Sequence, residues 1–332
     1  MKRRSFLGAL PAAAGLMVVP GLVRAAADQR RFRVICDNDF SGDPDGLFQL
    51  AHHLRSPSVE VRAIIGSHLH ADEKWAKSDH QATDGANRAR ELLEVMGLTG
   101  KVPVFVGSEK AMISASVPAR SAAADAIIAE AMRDDPLPLF YCAGAGLTDL
   151  ASALLIEPRI AKRLTLVWIG GPEYPGLGLP VPGGSPGEYN ITIDVAAAQV
   201  VFNRSDVAVW QVPRNTYRRM LFSTAELEVM KESGGTGAWL AGQISGLSEA
   251  AAKVGLKVGE AYALGDSPLV TLTALQSAFE PDPASSDYTV VAAPTVQDDG
   301  TCKPNPKGRP IRVYTTIDTR LTFGDMVAKL RK

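Results

Sequence analysis

Short, largely apolar runs at 33–36, 59–65, 103–106, 137–142 and 164–169 are separated by stretches of helical character at 47–54, 84–96, 122–132 and 147–156, with a further one at 196–202. No polar residue alternates regularly within these runs, so each reads as a strand buried on both faces. Strand and helix in regular alternation predict an α/β fold: a mostly parallel central sheet with helices on both faces, in a single domain. Farther on, 223–256 reads as largely helical, 289–292 and 311–316 as late strands, and 323–330 as a closing helix. In such sheets ligands sit beyond the carboxyl ends of the strands, and the polar clusters of this chain fall there. The break in the pattern is 170–187, where 12 of 18 residues are Gly or Pro. Because strand and helix signals resume after it, it is expected to be a long active-site loop rather than a linker between domains.

The formal charge of −1 understates the acidity of the folded part. Lys2-Arg3-Arg4-Ser5-Phe6-Leu7 is a twin-arginine pattern, an uncharged segment runs on to Val23, and Ala25-Ala26-Ala27 offers small residues for cleavage. Residues 1–27 are therefore expected to be an export signal to the periplasm, with 28–332 the mature domain. Pro11 and Pro20 make the segment a poor stable membrane anchor. Without its four cations the balance is 31 basic against 36 acidic side chains, a net of −5. That excludes the basic footprint of a protein that binds a nucleic acid polymer.

Three cysteines form no disulfide framework and no pair has zinc-ligand spacing; Cys36 and Cys142 each end an apolar run and are expected to be buried. Five histidines all precede residue 81, without His-Glu-x-x-His spacing. A metal, if present, must be held by oxygen, which points to a hard cation.

The most informative segment is Asp37-Asn38-Asp39-Phe40-Ser41-Gly42-Asp43-Pro44-Asp45, four carboxylates in nine residues directly after a buried strand. Such crowding raises the cost of ionisation unless a cation or water offsets it. An EF-hand loop would need Glu at 48, which is Phe48. Capping of the helix that follows accounts for one of these acids, or two.

A buried strand running into this turn resembles the nucleoside hydrolases, the inosine–uridine type of N-ribohydrolase. The similarity extends along the chain from about Arg33. It is carried further by Gly85-Ala86-Asn87-Arg88-Ala89-Arg90 with Val102-Pro103-Val104-Phe105-Val106-Gly107, by Ala145-Gly146-Leu147-Thr148-Asp149-Leu150-Ala151, by Glu188-Tyr189-Asn190 with Asp194 and Ala197-Ala198, and by Gly265-Asp266-Ser267-Pro268-Leu269. The resemblance implies an enzyme, an N-glycoside hydrolase acting on a ribonucleoside or related N-riboside, with Ca2+ as cofactor and a homo-oligomeric state. It implies that Asp39 deprotonates a water and that Asp39, Asp43, Asp45, Asp266 and the Gly144 carbonyl hold the metal. Asp37, Asp43, Asp45, Ser67, Glu188 and Asn190 are implied at the sugar.

The pattern also departs from the family. Asp43-Pro44-Asp45 replaces two adjacent aspartates, so the duties of Asp43 and Asp45 are not separable in the sequence. Ser67 stands for an Asn, and Gly265 for a leaving-group His. His68, His70 and Trp75 are candidates for the leaving-group side, with Tyr217 and Tyr262 as further wall residues. Two other readings therefore stay open: a calcium-containing nucleoside- or sugar-binding protein without efficient turnover, and a hydrolase of another glycoside. Gly144-x-Gly146 lacks the third glycine of a dinucleotide fingerprint, because position 149 is Asp149.

Overall fold

The structure is a computed structural model that describes residues 30–331 apart from 75, 186, 257–258, 278 and 280–284. The expected export signal and Trp75 lie outside the described residues. The strands are β1 (Phe32–Asn38), β2 (Val59–Gly66), β3 (Val104–Val106), β4 (Leu139–Ala143), β5 (Thr165–Ile169), β6 (Ala208–Val212), β7 (Leu221–Ser223), β8 (Ala261–Ala263), β9 (Tyr288–Ala292), β10 (Thr295–Val296), β11 (Cys302–Lys303) and β12 (Pro310–Tyr314). Eight of them form one sheet in the order β3-β2-β1-β4-β5-β6-β12-β9, and β7–β8 and β10–β11 are separate two-stranded ribbons. Every pairing in the large sheet is parallel except β12 with β9.

Burial alternates along β1: Val34 and Cys36 enter the core on one face and Ile35 the core on the other. Both faces are covered, which is why the strands are mostly apolar. One face receives the helices α1 (Asp45–Leu54) and α2 (Gln81–Val95), through Phe48, Leu50 and Leu92. The other receives α3 (Ala122–Ala131) and α4 (Thr148–Ile156), through Ile127 and Leu150. A fully buried Phe or Leu contributes roughly 1.5–3 kcal/mol, so these contacts fix the layers.

Three short helices, α5 (Tyr189–Ile193), α6 (Val195–Gln199) and α7 (Arg214–Tyr217), follow. The expected helix at 196–202 is thus α6 continued by a π turn at Val200–Arg204. The longer α8 (Thr224–Glu232) and α9 (Gly235–Lys253) fill the region read as helical, and α10 (Pro268–Thr271) and α11 (Thr319–Leu330) complete the chain. Strand β6 was not anticipated: it follows three residues after the π turn and is only five residues long. No helix among the described residues is long and apolar enough to cross a membrane.

The order β3-β2-β1-β4-β5-β6 reverses direction between β1 and β4, where chain connections leave to opposite sides and open a crevice at the carboxyl ends. The four-carboxylate turn follows β1 and Gly144 follows β4. The Gly/Pro-rich segment does not act as the expected active-site loop: none of its described residues lines the cleft. It is pinned to β6 and α7 instead. Arg214 N–H donates to the Gly171 carbonyl at 2.9 Å, the Arg214 guanidinium pairs with Glu173 at 2.8 Å, and Gln211 Nε2 donates to the Gly170 carbonyl at 2.8 Å.

Candidate active site

A cleft of about 620 Å³ opens over the crevice between β1 and β4. Its floor carries Asp39, Asp43, Asp45, Gly144, Asn190 and Asp266. These come from four separate segments, and the fold brings them together.

Asp39 begins the turn after β1 and faces the cleft, with its backbone N–H fixed to Asn38 Oδ1 at 2.9 Å. Asp45 opens α1, where the helix N-terminus favours a negative charge. Asp43 is more exposed and accepts the Asp45 N–H at 3.0 Å, so it shapes the entry into the helix. Asp266, almost fully buried, donates its backbone N–H to Asp45 Oδ2 at 3.2 Å. Asp45, not Asp43, is therefore the acid seated against Asp266.

Burial, then the charges of Asp266 and Asp43, push the Asp39 and Asp45 carboxyls well above the usual range. Burial pushes Asp266 up to about 7. Among the described residues no Lys or Arg forms an ion pair with any of these acids.

The turn's first acid lies deeper. Asp37 is buried, and its carboxylate accepts hydrogen bonds from Ser67 Oγ and Tyr141 Oη. Neither Asp37 nor Ser67 lines the cleft; they lock β1 to its neighbours beneath the floor. Glu188 is fully buried as well. Its carboxylate accepts Gly171 N–H at 2.7 Å, Ile191 N–H at 3.2 Å and Tyr217 Oη at 2.8 Å, and it caps α5. The polar atoms of Asp37, Ser67 and Glu188 are engaged inside the protein and none of the three lines the cleft, so their contact with a sugar stays a proposal from the sequence. Asn190 does reach the cleft. Its Nδ2 donates to the carbonyls of Gly144 at 3.0 Å and Ile169 at 2.7 Å, which leaves Oδ1 for a ligand.

The histidines move away from the leaving-group side. His68 is buried, with Nδ1 against the Leu69 carbonyl at 2.9 Å and Nε2 against Thr148 Oγ1 at 3.0 Å. His70 rests against Tyr189, ring centroids 6.2 Å apart, and does not itself line the cleft. The walls are aromatic instead. Tyr189, Tyr217 and Tyr262 line the cleft with Leu69, and α9 contributes Leu247 and Ala251. At position 265 an added Cβ would lie 3.3 Å from Asp45 Oδ2 and 3.4 Å from Tyr217 Cδ2. The place of a side chain there is thus bordered by the Tyr217 ring. Tyr189 Oη donates to Glu73 Oε2 at 2.7 Å, closing the rim between the loop after β2 and α5. Nothing local in the sequence marks Glu73, Leu247 or Ala251; they reach the cleft through tertiary packing.

The donor set is all oxygen: three crowded aspartates and the Gly144 carbonyl. That suits a hard cation and no thiophilic metal. Among the described residues no group of three or more His, Cys, Asp or Glu side chains is arranged to hold a metal ion. The support for a cation is therefore the chemistry of the donors and their uncompensated crowding.

The model of the family described as inosine-uridine preferring nucleoside hydrolase matches residues 34–332. The chain is 28% identical over 204 residues to the inosine-uridine preferring nucleoside hydrolase of Crithidia fasciculata, covering 54% of this chain and 58% of that protein. It is 30% identical over 197 residues to the protein of that name from Leishmania major, covering 52% and 57%. The chain thus spans under two thirds of the length of these curated relatives. Among solved structures it resembles the purine-preferring ribonucleoside hydrolase of Gardnerella vaginalis, with TM-score 0.69, 17% identity and 90% and 98% of the two chains covered. It also resembles the inosine-uridine preferring nucleoside hydrolase of Bacillus anthracis, with TM-score 0.64, 16% identity and 90% and 99% coverage. At those identities the likeness is one of fold.

Proposed function

This chain belongs to the inosine-uridine preferring nucleoside hydrolase family, and from that premise we propose that it hydrolyses the N-glycosidic bond of a ribonucleoside or related N-riboside in a calcium-dependent reaction. The observation that carries the reading is the convergence of Asp39, Asp45 and Asp266 on the floor of one cleft, beside the Gly144 carbonyl and Asn190. A bound hard cation supplies Lewis acidity toward a water and the sugar hydroxyls. Asp45, Asp266, Asp39 and the Gly144 carbonyl would hold it. The more exposed Asp43 and the Asn190 Oδ1 are left for the sugar.

Asp39 faces the cleft with no partner on its carboxylate among the described residues, so it is free to take a proton. As water attacks the anomeric carbon, a C–O bond forms, the C–N bond breaks, and the water's proton passes to Asp39. Positive charge develops on the ribosyl centre, and the surrounding carboxylates stabilise it. The apolar and aromatic walls exclude water and offer flat surfaces to a planar base. A proton for the departing nitrogen would come from the wall, where Tyr217 borders the space left by Gly265 and Tyr262 lines the same cleft.

The absent side chain at Gly265 favours a second reading, a calcium-containing protein that binds the nucleoside and turns it over poorly. Incubating the protein with a nucleoside panel, with and without chelator, separates the two. Calcium-dependent release of free base and reducing sugar supports hydrolysis, and tight binding without release supports the second reading. No reaction and no binding with any nucleoside leaves the hydrolase of another glycoside. The export signal at 1–27, periplasmic residence and a homo-oligomeric state remain proposals from the sequence.

A further inference from the structure

Asn38 stands between two aspartates, does not line the cleft, and is fully buried. Its carboxamide makes two bonds of opposite sense. Oδ1 accepts the Asp39 N–H at 2.9 Å, and Nδ2 donates to Asp266 Oδ2 at 2.7 Å, across 228 residues of chain. The two partners fix the orientation of the amide, because a backbone N–H can only donate and an ionised carboxylate can only accept.

Two glycines record the space this side chain takes. A Cβ on Gly46 would lie 2.6 Å from Asn38 Nδ2. One on Gly144 would lie 2.3 Å from the same atom and 2.6 Å from Asp266 Oδ2. Neither glycine has a left-handed backbone, so neither is required by its own conformation. What excludes a side chain at 46 is the Asn38 amide, and at 144 it is that amide together with the Asp266 carboxylate it holds.

We propose that Asn38 is the positioning residue of the cation site. It holds the Asp39 backbone and the Asp266 carboxylate in fixed relation, and it does so only because positions 46 and 144 are glycine. The inference rests on the metal-binding reading above. By engaging one oxygen of Asp266 it leaves the other for the cation, and by anchoring Asp39 N–H it sets where that carboxylate enters the cleft. Groups that orient metal ligands typically matter about 10- to 100-fold in metal affinity.

Asn38→Asp gives the test its sign, because the side chain keeps its shape and loses its donor. If Asn38 were only a neighbour of the site, an added negative charge would strengthen binding of a dication. As the positioning residue, its replacement by an acceptor sets two carboxylates against each other, and Ca2+ binding weakens. Calcium titration by calorimetry at mildly alkaline pH, on wild type, Asn38→Asp, Gly144→Ala, Asn38→Ala and the Asn38→Ala/Gly144→Ala pair, is the experiment. Thermal midpoints in chelator are read alongside, so that loss of fold is separated from loss of affinity.

The expected result is affinity reduced about 10- to 100-fold in Asn38→Asp and in Gly144→Ala, with the second substitution costing far less once Asn38 is already Ala. Equal or tighter binding by Asn38→Asp overturns the proposal, as does strict additivity of Asn38→Ala and Gly144→Ala. If Asn38→Ala does not fold, the isosteric Asn38→Asp alone decides by the direction of its change. If wild type itself binds no Ca2+, the functional reading fails. The chelator midpoints then still show whether the penalty of Gly144→Ala vanishes without the Asn38 amide.

Discussion

The Gly144 N–H donates to the Asp37 carbonyl at 3.0 Å, joining the ends of the two central strands where the sheet reverses direction. That bond sets the Gly144 carbonyl beside the acidic turn and makes the crevice a rigid feature of the sheet. Catalytic groups placed at strand ends are held more exactly than groups carried on loops.

Calcium and pH act on the same carboxylates with opposite sign. Burial holds the carboxyls of Asp37 and Asp266 up at about 7, and those of Asp39 and Asp45 are raised as well. A raised carboxyl binds its proton more tightly in the folded chain. Its contribution is full below the unfolded value near 4 and is lost as pH climbs through the folded value. In chelator the thermal midpoint is expected to fall as pH rises from about 5 to about 8. A fixed calcium concentration, about 100 times the Kd at the higher pH, should restore about 2.7 kcal/mol there and less at lower pH, where protons compete for the same oxygens. Differential scanning fluorimetry across that range checks it, and a chelator effect independent of pH would contradict it.

Glu188 is expected to behave as a structural acid. Glu188→Leu keeps the bulk but removes the acceptor of Gly171 N–H, Ile191 N–H and Tyr217 Oη, leaving those donors unpaired. A buried polar group left unpaired costs about 1–3 kcal/mol. Equilibrium denaturation should show that loss. A full loss of turnover with unchanged stability would place Glu188 at the sugar.

His68→Asn should leave turnover well above the drop of about 100-fold that loss of a general acid produces. Its ring is tied to Thr148 and the Leu69 carbonyl, outside the cleft. Steady-state kinetics against wild type decide this, and a loss of about 100-fold or more would place His68 in the reaction.

The phenol at Tyr217 should matter to both binding and leaving-group departure, because it borders Gly265 and holds Glu188. Tyr217→Phe is expected to lower kcat more for nucleosides with poor leaving groups than for an aryl riboside that departs unaided. Equal losses on both substrates would assign Tyr217 to packing alone.

The parallel sheet, the segment carrying each acid and the oxygen-rich chemistry were legible in the sequence, because buried strands and crowded aspartates are local signals. The division of labour within the turn was not. Asp43 and Asp45 are two residues apart and of one chemical type, and only the contact of Asp45 with Asp266 separates them. Asp37, Ser67 and Glu188 sit on the right segments but face inward, and the direction a strand-end side chain takes depends on the partner strand. Asn38 carried no signal at all. An Asn between two Asp is ordinary turn composition, and its meaning lies in a bond to a residue more than two hundred positions away.

The central claim is that Asp39 takes the proton of the attacking water in a calcium-dependent cleavage of an N-riboside. Single-turnover release of free base from a nucleoside, by wild type and by Asp39→Asn at saturating Ca2+, tests it most directly. The account predicts release by wild type that chelator abolishes. It also predicts a loss of at least about 100-fold in Asp39→Asn, with the nucleoside still bound. Release by Asp39→Asn at the wild-type rate, or release by wild type that chelator leaves untouched, would contradict it.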